Sequence, residues 1–274
     1  MRALEQIDDW PVRHAAAGVV SGAATTSHGD TDHVFALASV TKPLVAYAAL
    51  VAVEEGAIEL DQPAGPPGAT VRHLLAHASG LAFDTTEVMA EPGARRIYSS
   101  SGFEVLADFV AEQSGIAFDE YLRESVFVPL GMEASALTGP AGHACHSTLN
   151  DLLRFAAELL NPRLISPQTL AEATTVQFPG LNGVLPGYGS KRPNDWGLGF
   201  EIRDGKSPHW TGTTNSPRTF GHFGQSGTFL WVDPQQGLAC CALADENFGD
   251  WARAAWPVLS DAVIAESQDC TGER

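Results

Sequence analysis

Ser39-Val40-Thr41-Lys42 and the apolar run behind it, residues 43–53 (PLVAYAALVAV), decide how this chain is read. The run is interrupted by no charge until Glu54-Glu55 and reads as a buried helix. Positions three apart on a helix share a face, so the Lys42 amine comes within reach of the Ser39 hydroxyl. Serine is a poor nucleophile until a base takes its proton, and a lysine pressed into apolar surroundings can be that base. The chain has only three lysines, Lys42, Lys191 and Lys206, and one of them stands inside its most hydrophobic helix. By itself Ser-x-x-Lys is also compatible with a helix cap followed by a solvated lysine.

Around this stretch the chain divides into regions of different character. Residues 16–25 and 34–37 read as short strands, with Ser27-His28-Gly29-Asp30 as the turn between them and His28 and His33 near a hairpin tip. Residues 57–71 read as a loop, and Thr70 caps a short helix that runs to His77. Helices follow at 102–114, at 117–128 with Pro129-Leu130-Gly131 as its end, and at 151–160 with Asn150 as its cap; Ser166-Pro167 opens another. Strands are expected at 196–203, 219–223, 228–232 and 238–244, and a closing helix at 249–266. Strands at both ends with helices between them predict an α+β fold: one antiparallel sheet assembled from both termini, with a large helical insertion. The boundaries are a single domain over 1–274, with a sheet part at 1–38 and 190–268 and a helical part at 39–189.

Among 274 residues, 33 acidic side chains oppose 16 basic ones, a formal charge of −17. Such a surface repels phosphate backbones and anionic lipid, which argues against nucleic-acid and membrane partners. The N-terminus lacks a basic stretch followed by an apolar core, and no run of roughly 20 apolar residues could span a bilayer. A cytoplasmic protein is expected. Four cysteines, Cys145, Cys240, Cys241 and Cys270, form no disulfide framework; Cys240 and Cys241 are adjacent in a strand and should point to opposite faces.

Two further segments carry chemistry. Tyr98-Ser99-Ser100 lies in a loop that opens a helix. A phenol beside an ammonium is expected to be drawn toward the phenolate and to serve as general acid and base, or else to pack its loop. Gly221-His222-Phe223-Gly224-Gln225-Ser226-Gly227 lies where a strand turns into the next, and its glycines let a substrate approach the backbone. The N–H groups of Ser39 and Gln225 could pair as oxyanion donors, with His222 projecting into the cleft.

Ser39-x-x-Lys42, Tyr98-Ser99-Ser100 and His222-Phe223-Gly224, in that order, resemble the serine β-lactamase and penicillin-binding family, nearest its class C-like and esterase branch. Two more segments agree with its patterns, Leu74-Leu75-Ala76-His77-Ala78-Ser79-Gly80-Leu81 and Ser147-Thr148-Leu149-Asn150-Asp151-Leu152-Leu153-Arg154-Phe155, and the resemblance covers roughly residues 12–265. It implies Ser39 as acyl-accepting nucleophile, Lys42 as its activator and Tyr98 as shared acid and base. It also implies Ser39 and Gln225 as the oxyanion pair, and Ser100, His222 and Gly224 as substrate-binding residues. The family more often has Asn at the Ser100 position and Lys at the His222 position. A hydroxyl holds an amide less well than Asn does, and a neutral imidazole holds a carboxylate less well than an ammonium. The expected activity is therefore a carboxylesterase acting on small esters through an acyl-enzyme. The alternatives are a β-lactamase, a D-amino-acid peptidase or amidase, and a non-catalytic sensor or binding protein.

No metal or cofactor is expected. His73 and His77 at i,i+4, and His143-Ala144-Cys145-His146, have ligand residue types without a completed set, and structural roles are expected for them. Trp196, Trp210 and Trp231 are assigned to the core, with one able to wall the cleft. Oligomeric state is left open by the sequence.

Overall fold

In the computed structural model, which describes residues 1–22 and 24–272, six antiparallel strands form the main sheet. Their order across the sheet is Ala24–Gly29, Ala15–Ser21, Leu238–Ala244, Thr228–Asp233, Phe220–Gly224 and Glu201–Ile202. Strands from the two ends of the chain meet as the sheet's second and third strands, where Ala15 to Ser21 pair with Ala244 to Leu238. The α+β fold is the one expected.

The sheet's two-residue period sorts its side chains into two cores. Cys241, Leu243, Leu230 and Val232 face the helical region, while Cys240, Ala242, Phe229 and Trp231 pack on the opposite face. The opposite-face layer is built by Leu4 and Ile7 of the N-terminal 3₁₀ helix and by Trp256, Leu259 and Val263 of the closing helix Asp250–Gly272. The adjacent cysteines thus point apart as expected; Cys145, Cys240 and Cys241 are buried free thiols, and the Cys270 side chain lies outside those described. On the helical side, Thr41–Glu54 is apolar around its whole circumference, and every side chain from Thr41 to Ala52 is buried. A helix without a polar face is stable only when surrounded, and helix Ser101–Ser114 and the sheet surround this one.

Several local expectations are corrected. Residues Ser27-His28-Gly29 are strand, not turn: Ser21 pairs with Ala24, so the hairpin tip is at Gly22 (φ 58°), with Ala23 outside the described residues. His28 reaches Asp8 across the strand at 2.9 Å instead of marking a tip. Phe35–Ala36 joins a separate three-stranded sheet with Cys145–Ser147 and Ala136–Leu137, so the main sheet does not extend through residue 38. The strand expected at 196–203 is only Glu201–Ile202, because Gly197 and Gly199 there make close passes over Ala173 and Ala46. Helix Leu149–Leu160 is capped by Thr148, whose hydroxyl accepts from the Asp151 N–H at 3.2 Å, not by Asn150. The helical path through Pro129 continues to Leu130 and ends at Gly131 (φ 68°); the π turn Arg123–Phe127 resets the hydrogen-bond register ahead of the proline, where its missing N–H is tolerated.

Candidate active site

Ser39 sits on a 3₁₀ turn, Ala38–Val40, that feeds directly into helix Thr41–Glu54. In a 3₁₀ turn positions i and i+3 eclipse, so the Ser39–Lys42 adjacency survives although the serine precedes the α-helix. Ala38 has φ 44°, a conformation that costs a non-glycine residue about 1–2 kcal/mol. Anchors from the sheet hold it there: the Thr228 hydroxyl donates to the Leu37 carbonyl at 2.9 Å, and Ser226 Oγ donates to the Ala36 carbonyl at 2.6 Å. The strand must come very near. A Cβ on Gly224 would lie 2.3 Å from the Leu37 carbonyl oxygen, so the approach that Gly224 permits is that of the Ser39 turn itself.

Lys42 is fully buried, and its Nζ has three oxygen partners: Ser39 Oγ at 3.2 Å, Ser100 Oγ at 3.1 Å and the Gly142 carbonyl at 2.8 Å. Burial lowers its pKa to about 7, against a weaker upward pull from Glu104. The amine also lies 4.6 Å from the centre of the Tyr98 ring. At neutral pH a large fraction of this lysine is uncharged, the state in which an amine has a lone pair to offer.

Tyr98 is held from both sides by His77, which adopts φ 54°. The His77 carbonyl accepts from the Ile97 N–H at 2.9 Å, and its Nδ1 accepts from the Ser99 N–H at 3.1 Å. Arg96, buried, donates to the carbonyls of Ala76, Gln177 and Asn194 and ties this loop to the neighbouring walls. Burial pushes the Tyr98 hydroxyl's pKa up, and a hydrogen bond with Ser39 pulls the other way without reversing it. The expected drift toward phenolate is thus corrected: desolvation outweighs the hydrogen bond with Ser39, and Tyr98 rests as a neutral phenol.

His222 lies on the strand Phe220–Gly224, with Nδ1 2.6 Å from the Phe223 carbonyl and Nε2 3.4 Å from the Tyr98 hydroxyl. Burial, then the nearby Lys42, lowers its pKa to about 3. A pocket of about 150 Å³ opens over these groups, lined by Ser39, Tyr98, His222 and Gln225 together with Phe83, Leu185, Pro186, Trp196, Glu201 and Phe223. Ser39, Lys42, Tyr98, Ser100 and His222 therefore converge, with Gln225 on the pocket wall. Gly224 supports the site from behind.

Sequence reasoning missed Gly142, Phe83, Leu185, Pro186 and Glu201. Gly142 contributes only a carbonyl, which has no side-chain signature. Glu201 had a signal, a lone carboxylate in an apolar strand. It accepts from Trp210 Nε1 at 3.0 Å, contacts His209 Nε2 at 2.8 Å and pairs with buried Lys206. Burial would raise the Glu201 pKa, but His209 and Lys206 outweigh it and hold it at about 2.

The candidate ligand sets separate. His73 Nδ1 meets the Thr70 hydroxyl at 2.9 Å and its ring stacks on Phe178, away from His77. Cys145 is buried, His146 contacts Thr138 at 3.1 Å and His143 is exposed. Among the described residues no group of three or more His, Cys, Asp or Glu is placed to hold a metal ion. None of the helices described is long and apolar enough to cross a membrane. Trp196 walls the pocket, whereas Trp210 and Trp231 are core.

The chain is similar to a beta-lactamase from Mycobacterium bovis whose crystal structure superposes with a TM-score of 0.96, at 61% identity over 97% of this chain and 99% of that one. It is 27% identical to Penicillin-binding protein 4* of Bacillus subtilis, over 37% of this chain but only 30% of that protein's length. Esterase EstB of Burkholderia gladioli is 34% identical over 36% of this chain and 26% of its own length. The match thus spans about a third or less of these two curated relatives. A family model described as Beta-lactamase matches residues 6–263, nearly the whole sequence, and the chain belongs to that family.

Proposed function

We propose that this protein is a serine hydrolase that forms an acyl-enzyme on Ser39 and cleaves small, uncharged carboxylic esters. The observation that carries the proposal is the contact of Lys42 Nζ with Ser39 Oγ at 3.2 Å in a fully buried setting that brings the lysine pKa to about 7. With the two N–H groups of a neutral amine directed to Ser100 Oγ and the Gly142 carbonyl, its lone pair faces Ser39.

In the first half-reaction Lys42 accepts the Ser39 proton as Oγ bonds to the carbonyl carbon. The N–H groups of Ser39 and Gln225 receive the oxyanion. The bond to the alcohol then breaks, the departing oxygen takes the Tyr98 proton, and the Lys42 ammonium restores it. In the second half-reaction water attacks the acyl carbon, its proton passes to the same two groups, and Ser39 leaves with a proton as the acid is released.

The ester preference rests on the pocket. Of the residues lining it none is Lys or Arg, so a substrate carboxylate of the kind found in penicillins or D-peptides meets no cation on its walls. The likeness to Esterase EstB supports the same reading. The test is hydrolysis of p-nitrophenyl acetate by the wild type and by Ser39→Ala, with intact-protein mass spectrometry. Turnover and an acetyl adduct that both vanish in Ser39→Ala are expected. An adduct that forms and never clears would favour a penicillin-binding sensor, and turnover that survives in Ser39→Ala would remove Ser39 from the chemistry.

A further inference from the structure

We infer that His222 is a positioning residue for Tyr98: its Nε2 accepts the phenol's hydrogen and keeps it off the Ser39 oxygen until the leaving group needs it. The inference rests on the hydrolase reading above and concerns a residue otherwise assigned to substrate contact.

A carbonyl oxygen only accepts, so the 2.6 Å contact between His222 Nδ1 and the Phe223 carbonyl places the ring's hydrogen on Nδ1. His222 is 3% exposed, and burial together with Lys42 keeps the ring neutral throughout the working pH range. In a neutral imidazole with Nδ1–H, Nε2 is an acceptor and nothing else. Its neighbour at 3.4 Å is the Tyr98 hydroxyl, itself kept protonated by burial, so Tyr98 donates and His222 accepts. The bond is long, as catalytic hydrogen bonds often are before substrate binds.

This direction has a consequence at the nucleophile. Tyr98 has one hydrogen. If it pointed at Ser39 it would take up one of the two Oγ lone pairs and make the oxygen less nucleophilic when it attacks the carbonyl. Directed at His222, it leaves Tyr98's oxygen as a second acceptor beside Ser39 and leaves both Ser39 lone pairs without that bond. When the tetrahedral intermediate collapses, the phenol turns from His222 to the departing alkoxide, gives up its proton there and is reprotonated by the Lys42 ammonium. Tyr98 and Lys42 end as they began, and His222 takes up no proton at any stage. A Lys at this position would offer only donors and would aim the phenol elsewhere.

The test pairs His222→Phe, which keeps a ring of similar size without an acceptor, with His222→Gln, whose amide oxygen restores one. For the Phe variant kcat is expected to fall about 10- to 100-fold, the scale of a misplaced catalytic group, with KM within about threefold of wild type. His222→Gln should recover most of the lost kcat. A raised KM at unchanged kcat, or two folded variants that are equally slow, would overturn the inference and return His222 to a pocket wall. Nitrogen-15 NMR of the wild type reads the tautomer without any variant: an unprotonated Nε2 is expected, and an Nε2–H form would overturn the inference. Failure of Ser39 to acylate in the wild type would instead defeat the hydrolase reading, and the tautomer measurement would remain independent of it.

Discussion

Lys42 Nζ lies 3.2 Å from Ser39 Oγ, and the backbone carbonyl of Gly142, 2.8 Å from the same nitrogen, keeps it there. The lysine is thereby fixed at both ends, by a helix at its Cα and by a loop carbonyl from a hundred residues away at its tip. Burial of that nitrogen disfavours its charged form and lowers the pKa to about 7.

The pH dependence of activity follows. A base must be uncharged to act, and Lys42 changes state at about pH 7. kcat/KM for p-nitrophenyl acetate should rise with pH through a midpoint near 7 and then level. His222, at about 3, and Tyr98, raised by burial, do not titrate inside that window. A profile that stays flat well below neutrality would exclude Lys42 as the base.

The same burial weakens the fold. Unfolded lysine keeps its proton up to its ordinary pKa of 10.5, whereas folded Lys42 releases it near 7. Between those values the unfolded chain binds more protons, so stability rises with pH, and below 7 the cost of holding a buried charge is complete. Lys42→Met should therefore melt higher than the wild type at neutral and lower pH. The gross effect is on the order of 4 kcal/mol, offset in part by the hydrogen bonds lost at Gly142 and Ser100. The advantage should shrink as the pH approaches 10.5. Melting curves at several pH values check this, and an advantage that grew with pH would contradict it.

Gly224 can be tested against an uncrowded glycine. A Cβ there meets the Leu37 carbonyl oxygen at 2.3 Å and the Thr228 hydroxyl at 2.5 Å, whereas at Gly205 a Cβ meets nothing within 4 Å. Gly224→Ala has to push the Ser39 turn off the sheet, at a cost of about 1–3 kcal/mol in stability. Activity should fall further than stability alone explains, because Ser39 moves. Gly205→Ala should match the wild type in both. Denaturant titration and kcat/KM on the three proteins decide the matter, and an active, stable Gly224→Ala would refute the close approach.

What the sequence conveyed about this site depended on how local each signal was. Ser39 and Lys42 are three residues apart on one turn, so spacing alone implied their contact. The strand Leu238–Ala244 was legible from its apolar run, and the opposite faces of Cys240 and Cys241 followed from its period. The protonation state of Tyr98 was misjudged because it depends on how deeply the ring is enclosed by segments distant in sequence, and that enclosure raises its pKa. Gly142 was invisible because its contribution is a main-chain oxygen. The hairpin tip was misplaced because Ser27-His28-Gly29 has turn composition, while the pairing of Gly18 with Ser27, Ala17 with His28 and Ala16 with Gly29 extends the strand through it.

Substrate size and charge are set by the pocket. Its volume of about 150 Å³ equals that of a protein cavity that takes up one benzene. An acyl group of roughly six heavy atoms fills such a space, and further methylenes have to remain on the surface or strain the walls of Trp196, Leu185 and Phe223. Across p-nitrophenyl acetate, butyrate, hexanoate, octanoate and decanoate, kcat/KM should hold or rise to about hexanoate and then drop by at least about 10-fold, the factor that 1.4 kcal/mol of strain produces. Charge should matter as sharply. A hemisuccinate ester, similar in length to the hexanoate but with a terminal carboxylate, has to bring that charge past Phe83 and Tyr98 to a wall that holds no Lys or Arg and whose one carboxylate, Glu201, already engages Lys206. It should be hydrolysed at least about 100-fold more slowly than its uncharged methyl ester, since an unpaired charge loses its solvation there. Equal rates for the two would mean that a cation reaches the pocket during binding, and the choice of an uncharged ester over a carboxylate-bearing lactam or peptide would have to be reversed.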